Sequence, residues 1–154
     1  MSSILVSVRV RAPPQAAFDL FTREIALWWR PSPLFRFTPR DGGVLSFEPG
    51  EGGRFIETLP SGTVFVIGRI RIWRSGERLV FGWRQATFTT EQATEVEVRF
   101  EPLGAETRVS VTHKGWDSVP QTHVARHTMS DLVFLQRHGA YWRALLGAMA
   151  ALRT

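Results

Sequence analysis

The feature that most constrains this chain is the amphipathic pattern of its C-terminal end, from about Met129 to Leu152. On a wheel of about 3.6 residues per turn, apolar residues fall on one broad face and polar residues on the other. The apolar face contains Phe134, Leu135, His138, Tyr141, Trp142, Leu145, Leu146, Met149 and Leu152. The opposite face contains Gln136, Arg137, Arg143 and Gly147. A helix of about 24 residues is roughly 36 Å long, enough to cross a small domain.

Residues at the predicted N-terminus support this helix. Ser130 is a suitable N-cap, and Asp131 suits the positive end of the helix dipole. The two halves of the helix differ in their side chains. The first half, Phe134 to Trp142, mixes aromatic rings with polar tips, which is typical of a cavity roof. The second half, Leu145 to Leu152, is aliphatic and small, which favours an anchor packed on a sheet.

The remainder of the chain alternates as strands do. Thr94, Val96, Val98 and Phe100 share one side of a strand whose other side is mostly charged. Two short helices follow the first strand, and Thr22 is a candidate cap for the second of them. The predicted helices and strands are Ile4–Val10, Ala16–Phe21, Arg23–Trp29, Gly43–Glu48, Arg54–Thr58, Val64–Trp73, Arg78–Arg84, Thr94–Phe100 and Thr107–His113. Leu34 to Asp41 is either a strand or irregular, and Gln121 to Thr128 is either a short helix or an ordered loop.

This order predicts an α+β helix-grip fold in one domain, residues 1–154. A curved antiparallel sheet of about six to seven strands surrounds the long C-terminal helix, with two short helices after the first strand. A length of 154 residues suffices for one hydrophobic core. Aromatic residues make up 12% of the chain, including 6 Trp and 11 Phe. Large rings fill cores, and they also line pockets for apolar or aromatic ligands.

Composition argues against several function classes. The chain has no cysteine, so disulfides, thiolate nucleophiles and cysteine-bound metals are excluded. Its arginines are dispersed despite a net charge of +5, so nucleic-acid binding is not expected. His123 and His127 have i, i+4 spacing but lack the Glu of a zinc-binding HExxH motif. We therefore predict no metal or other cofactor. No run approaches the ~20 apolar residues of a membrane span, so we predict a cytoplasmic protein without membrane insertion.

The sequence resembles the bacterial homologues of the activator of heat-shock-protein ATPase, within the START-like (SRPBCC) superfamily. The order and spacing of four stretches carry the resemblance, which covers nearly the whole chain. These stretches are AFDLFTREIALWW from Ala17, GEGGRFIE from Gly50, GRIRIWRSGERLVFGW from Gly68 and TEVEVRFEPLGAETRVSVTHKGW from Thr94. The departure lies between Asp117 and His138, where family members usually carry a looser, acidic link. Here that segment contains His123, His127 and His138.

The resemblance implies a deep, mostly apolar cavity between the curved sheet and the long helix. Superfamily members use such cavities for lipids, hormones or polyketide-like molecules, and a minority perform chemistry there. A homodimer is also left open. A chaperone partner is not expected, because this chain has no room for the N-terminal chaperone-binding domain of the larger eukaryotic activator.

Inward-facing residues provide the candidate site. The candidate ligand-binding residues are Trp29, Phe55, Trp83, His113, Phe134, His138, Tyr141 and Trp142. His113 and His138 would orient a polar group of the ligand, and the rings would supply contact area. As catalytic candidates we name only His138, as a general base, and Glu57, as a general acid if it is buried without a partner. Each of these residues also fits a simple core role.

Three functions remain open at this point. The favoured one is binding of a small apolar or aromatic molecule under the C-terminal helix. The second is a cyclase- or hydrolase-type enzyme in which His138 or Glu57 moves a proton. The third is a stress-response or chaperone-associated interaction module that needs no ligand. The sequence favours binding over catalysis.

Overall fold

A computed structural model describes residues 3–30, 37–38, 42–86, 88–89, 93–119, 123 and 130–153. The two segments that the sequence leaves ambiguous, 34–41 and 121–128, lie outside the described residues except for 37–38 and 123. The strands are β1 (Ser3–Val10), β2 (Val44–Phe47), β3 (Arg54–Thr58), β4 (Val64–Arg74), β5 (Arg78–Trp83), β6 (Thr94–Leu103) and β7 (Glu106–Lys114). The helices are α1 (Pro14–Thr22), α2 (Ile25–Trp28), a single 3₁₀ turn (Trp116–Ser118) and α3 (Asp131–Ala151).

The seven strands form one sheet in the order β1-β7-β6-β5-β4-β3-β2, and every neighbouring pair is antiparallel. The register places Val111 beside Val6 on one side and Val98 on the other, so apolar residues from three strands meet on one face. The register shifts between Phe55 and Ile56 and again between Ile70 and Ile72. Such bulges bend strands, and the sheet curls into a half-barrel.

The two short helices close one end of the sheet. Pro14 occupies the first turn of α1, where its missing N–H costs no hydrogen bond, so the helix begins two residues earlier than predicted. The α1 face that contacts the core carries Ala17, Phe18 and Phe21, as the sequence predicts. The predicted capping role of Thr22 is wrong. Its hydroxyl donates to the Phe18 carbonyl inside α1, and Glu24 precedes α2 instead.

The long helix α3 packs mainly along β1 and spans the open side of the half-barrel. The Ser130 hydroxyl accepts a hydrogen bond from the Val133 N–H, which confirms it as the N-cap. The buried residues of α3 are Phe134, His138, Gly139, Trp142, Leu145, Leu146 and Met149. Leu152 does not belong to this face. The helix ends at Ala151, and the Leu152 side chain is 41% exposed.

The helix-grip fold predicted from the sequence is therefore confirmed. The core lies between the concave face of the sheet and α3, and most of its large side chains are aromatic. Within the described part of the chain, no helix has the length and apolarity needed to span a bilayer.

Candidate functional site

Five rings meet where the ends of β5 and β7 face α3, and we call them the imidazole–indole cluster. Its members are Trp83, His113, Trp116, His138 and Trp142. The two imidazole centroids are 5.1 Å apart, and Trp83 lies 4.7 Å from His113. Every member is buried. The antiparallel register brings β5 and β7 to opposite sides of β6, so their last inward residues face the same stretch of α3.

Hydrogen bonds fix the orientation and the tautomer of His113. The Trp142 indole N–H, which is only a donor, donates to His113 Nδ1 over 3.1 Å. Nδ1 is therefore unprotonated, and the neutral ring carries its proton on Nε2. That N–H donates to the Thr94 hydroxyl over 2.8 Å, and Thr94 donates in turn to the Trp83 carbonyl over 2.8 Å. Both nitrogens of His113 are occupied, so it cannot act as a proton acceptor without breaking this chain.

Burial keeps both imidazoles neutral. It lowers the pKa of His113 well below the ordinary value of 6.5, and the proximity of His138 lowers it further. Burial also lowers the pKa of His138 to about 3. A general base works best when its pKa is near the working pH. His138 is therefore a weak base here, and the geometry suits a polar contact better than proton transfer.

Aromatic rings surround His138. The centroids of Trp83, Trp116 and Phe134 lie 5.7, 5.1 and 5.5 Å from it, and that of Tyr141 lies 5.9 Å away. These contacts are edge-on or tilted, the preferred arrangements for interacting rings. The sequence-based prediction that His138 lies among Phe134, Tyr141 and Trp142 on the inner face of α3 agrees with this placement.

Two indole donors in the cluster differ from Trp142 in their hydrogen bonding. Trp83 is 2% exposed and Trp116 is fully buried, yet neither Nε1–H has a hydrogen-bond acceptor among the residues that the structure describes. A buried donor left unsatisfied costs about 1–3 kcal/mol. In contrast, the buried Trp28 N–H donates to the Leu20 carbonyl over 2.8 Å. The unsatisfied donors thus lie beside the two imidazoles.

Sequence reasoning missed two members of this site, Trp116 and Thr94. Trp116 follows Gly115, whose φ of +97° turns the chain out of the strand, so counting alternate residues from His113 does not place it. Thr94 faces inward as predicted, on a strand face that is otherwise apolar. A polar residue in such a position is a signal for a buried hydrogen bond, and here it bonds to His113.

Trp29 and Tyr141 border the cluster. The Trp29 ring lies 5.7 Å from Trp83 and 5.3 Å from Trp142, and it meets Tyr141 edge-on at 6.4 Å. The Tyr141 hydroxyl donates to the Arg30 carbonyl over 3.2 Å. Burial raises the pKa of Tyr141 above its ordinary value of 10.0, so the phenol stays protonated. The Tyr141 side chain is half-buried.

Phe55 belongs to a second aromatic group. It stacks on Phe47 at 4.3 Å and meets Phe81 at 5.1 Å. Trp29, at 6.3 Å from Phe55, connects this group to the imidazole–indole cluster. Phe37 makes a second connection, at 5.8 Å from Phe55 and 4.6 Å from Trp83. The predicted ligand-binding residues therefore form one continuous aromatic core, in which one ring separates Phe55 from the imidazole–indole cluster.

Glu57 faces inward from β3, as its parity predicts, and is 9% exposed. Its carboxylate accepts a hydrogen bond from the Thr38 hydroxyl over 2.8 Å. Gly43 makes room for this group, because a Cβ there would lie 2.2 Å from Glu57 Oε2. A general-acid role depended on burial without a partner. Because the Thr38 hydroxyl is such a partner, Glu57 does not meet that condition.

Among the described residues, no group of three or more His, Asp or Glu side chains is placed to hold a metal ion. His127, one half of the i, i+4 histidine pair, lies outside the described residues. His123 contacts the Phe88 ring edge-on at 5.5 Å. The described cluster therefore offers ring faces, two neutral imidazoles and two indole donors, but no cation and no nucleophile. This combination can hold a neutral, partly aromatic molecule.

The sequence was compared with known protein families. The sequence profile of the family described as "Activator of Hsp90 ATPase homolog 1-like protein" matches residues 11–152. The chain belongs to this family. The resemblance proposed from four stretches of sequence is thereby confirmed. A search of curated proteins finds no match to the sequence.

Three solved structures are similar to this family member. Txn09, described as an anthrahydroquino-γ-pyrone synthase, is 31% identical, with 98% of this chain and 96% of that chain covered and a TM-score of 0.56. An Hsp90 activator from Plasmodium falciparum is 16% identical, with 99% and 96% covered and a TM-score of 0.67. The Aha1 dimer from Colwellia psychrerythraea is 14% identical, with 99% and 96% covered and a TM-score of 0.67. The last two share the fold with this chain.

Proposed function

We propose that this family member binds a small apolar or aromatic molecule between the curved sheet and α3, at the imidazole–indole cluster. The observation that carries the proposal is the enclosure of His113 and His138 by indole rings, with two indole N–H donors left without described acceptors. A core that serves only stability gains little from buried imidazoles and unsatisfied donors. A site that admits a flat ligand uses the ring faces for contact and the donors for orientation.

The relatives support a ligand-binding role of this kind. The chain is 31% identical over nearly its full length to a protein described as a synthase of an anthrahydroquino-γ-pyrone, a fused-ring aromatic compound. DynU16, described as a putative protein in the dynemicin biosynthetic locus, is 19% identical and shares the fold, with a TM-score of 0.64. We therefore propose polyketide-like aromatic molecules as the first compounds to test.

A thermal-shift screen tests this function. The protein is heated with fatty acids, two- and three-ring aromatics, and polyketide-like ketones. A ligand at about 100 times its Kd adds about 2.7 kcal/mol of stability, which raises the Tm of a domain of this size by several degrees. We expect aromatic compounds to raise the Tm. Absence of any shift across the panel would contradict the proposal.

A matched control locates the effect. An open groove of about 810 Å³ lies on the outer face of the sheet and includes Arg71, Glu95 and Lys114. A Lys114→Gln variant changes this groove and leaves the concave face intact. We expect the thermal shift to persist in this variant. Loss of the shift would place the ligand on the outer face and overturn the proposed site.

Cyclisation is a second candidate function, and the 31% identity to a described synthase favours it. In such a reaction, a phenol oxygen of a β-diketone adds to a ketone carbon, and one water leaves as the pyrone ring closes. His138 would accept the phenol proton, although its pKa of about 3 makes it a weak base. Binding in a productive conformation would then supply most of the rate enhancement.

The test of this second function is turnover of an ortho-hydroxyphenyl β-diketone to the corresponding chromone, followed by absorbance. His138→Gln should lower the enzyme-dependent rate without abolishing it, while the unfolding midpoint stays near that of the parent protein. An unchanged rate in His138→Gln would exclude a catalytic role for this residue. A loss of rate that only follows a loss of folded protein would assign His138 to the core.

We propose a cytoplasmic protein that forms a homodimer, since a relative with this fold is described as a dimer in solution. Exposed apolar side chains at the start of α3, Leu132 and Val133, are candidates for the contact. Light scattering on a size-exclusion column measures the mass directly. A mass equal to one chain would overturn the dimer proposal.

A further inference from the structure

The two unsatisfied indole donors restrict the chemistry of the ligand. Trp83 and Trp116 come from different elements, the end of β5 and the turn after β7, and both rings lie against His113 and His138. Neither Nε1–H has an acceptor among the described residues, and each nitrogen is buried. We propose that the ligand supplies a neutral carbonyl oxygen as the shared acceptor for these two N–H groups. This inference rests on the proposed binding function.

The acceptors in the hydrogen-bond chain of His113 and Thr94 are already used. His113 Nδ1 is occupied by the Trp142 N–H, and His113 Nε2 donates to Thr94. The Thr94 hydroxyl already donates to the Trp83 carbonyl. Two other indole donors of the core behave differently, since Trp28 donates to Leu20 and Trp142 donates to His113. An acceptor on the ligand would satisfy the N–H groups of Trp83 and Trp116. A carbonyl oxygen suits this role because it has two lone pairs, one for each donor.

The electrostatics of the site favour a neutral acceptor over a carboxylate. None of the described hydrogen bonds or ring contacts brings a Lys or Arg side chain to the cluster. Both imidazoles are neutral near neutral pH, because burial disfavours their charged forms. An ionised carboxylate buried without a cation is strongly destabilised. The site therefore selects a flat aromatic ketone, quinone or pyrone, and it discriminates against a fatty acid.

Paired probes test this selection. Chromone and naphthalene are two-ring compounds of similar size, and only chromone carries a carbonyl; the naphthoate anion adds a carboxylate instead. We expect chromone to bind about five- to thirtyfold more tightly than naphthalene, the range that one or two net hydrogen bonds provide. Naphthoate should bind more weakly than either compound. Titration calorimetry on the full chain measures all three affinities.

Substitutions assign the preference to the two donors. Trp83→Phe and Trp116→Phe each remove an N–H and keep a ring, so the preference for chromone should fall while naphthalene affinity changes little. Trp28→Phe is the control, because its N–H is already bonded to Leu20 outside the cluster. It should leave the ratio of chromone to naphthalene affinity unchanged. A preference that survives in both Trp83→Phe and Trp116→Phe would overturn the inference.

A spectroscopic measurement on the unmodified protein covers the case in which these variants do not fold. The indole N–H signals of Trp83 and Trp116 should move downfield on addition of chromone, as hydrogen bonds form, and should lack that downfield component with naphthalene. If both compounds bind equally and neither gives this component, the carbonyl inference fails while the binding function stands. If neither compound binds, the proposed function fails and the inference fails with it.

Discussion

The indole N–H of Trp142 donates to Nδ1 of His113 over 3.1 Å, and this contact joins α3 to the end of β7. The bond determines which His113 nitrogen carries the proton, and Thr94 completes the arrangement by accepting from the other nitrogen. The polar contacts between helix and sheet thus form an ordered chain within an aromatic core. His113 consequently acts as a structural link between α3 and the sheet.

Thr94→Val should destabilise the protein by about 1–3 kcal/mol, because the buried His113 Nε2–H loses its acceptor. Thr112→Val is the matched control. Thr112 lies on the opposite, outward face of the sheet, and its replacement should change the free energy of unfolding by less than about 0.5 kcal/mol. Urea denaturation of both variants measures the difference. Equal effects would show that the hydrogen-bond chain adds no stability.

Acidification should destabilise the fold through the two buried histidines. Their pKa values are lower in the folded protein than the ordinary 6.5, so the unfolded chain binds more protons below that pH. Stability is then complete above about pH 6.5 and falls as the pH decreases, by at most about 1.4 kcal/mol per pH unit for each histidine. The free energy of unfolding is measured by denaturation between about pH 5 and pH 7. This range lies above the ordinary carboxyl pKa of 4.5.

The same pH series on His138→Gln isolates the contribution of one histidine. Removal of its titration should reduce the slope of unfolding free energy against pH by about half, if both groups contribute the full linkage. A slope that is identical in the variant, or a parent protein that gains stability on acidification, would contradict burial of a neutral His138.

Gly115→Ala should be more destabilising than Gly104→Ala. Both glycines have positive φ, +97° and +61°. A Cβ on Gly115 would lie 3.0 Å from the Ala93 carbonyl oxygen, whereas nothing lies within 4 Å at Gly104. We expect a loss of about 1–3 kcal/mol at Gly115 and a change in Trp116 fluorescence, because Gly115 directs Trp116 into the core. Equal losses would mean that the close approach to Ala93 is unimportant.

Trp28→Phe should destabilise the protein more than Trp83→Phe in the absence of ligand. Both changes remove similar apolar area, but only the first breaks a hydrogen bond, that to the Leu20 carbonyl. The second removes a donor that has no described acceptor. The expected difference is about 1 kcal/mol or more, from chemical denaturation. The reverse order would show that the Trp83 N–H is already satisfied in the free protein.

Much of the fold could be predicted because its signals are periodic. Alternation along β6 and β7 placed Thr94 and His113 on the concave face, and the helical repeat placed His138 and Trp142 opposite them. The prediction that Leu152 lies on the inner face of α3 was wrong for a physical reason. The apolar repeat continues in the sequence past Ala151, where the helix ends, and a helical wheel does not show where a helix ends.

The site itself could be predicted only in part. Residue types and parity identify which rings face inward, but hydrogen-bond partners depend on distances between elements far apart in sequence. Trp142 and His113 are 29 residues apart, and nothing local indicates that one donates to the other. Trp116 was missed because Gly115 ends the alternation just before it. Unsatisfied donors become visible only once the packing around them is known.

The most direct test of ligand binding at the imidazole–indole cluster is an intermolecular NOE experiment with bound chromone. We predict contacts between chromone protons and the indole protons of Trp83 and Trp116, together with Phe134 on α3. Contacts confined to the outer groove around Arg71 and Lys114 would contradict the account, because they would place the ligand on the opposite face of the sheet.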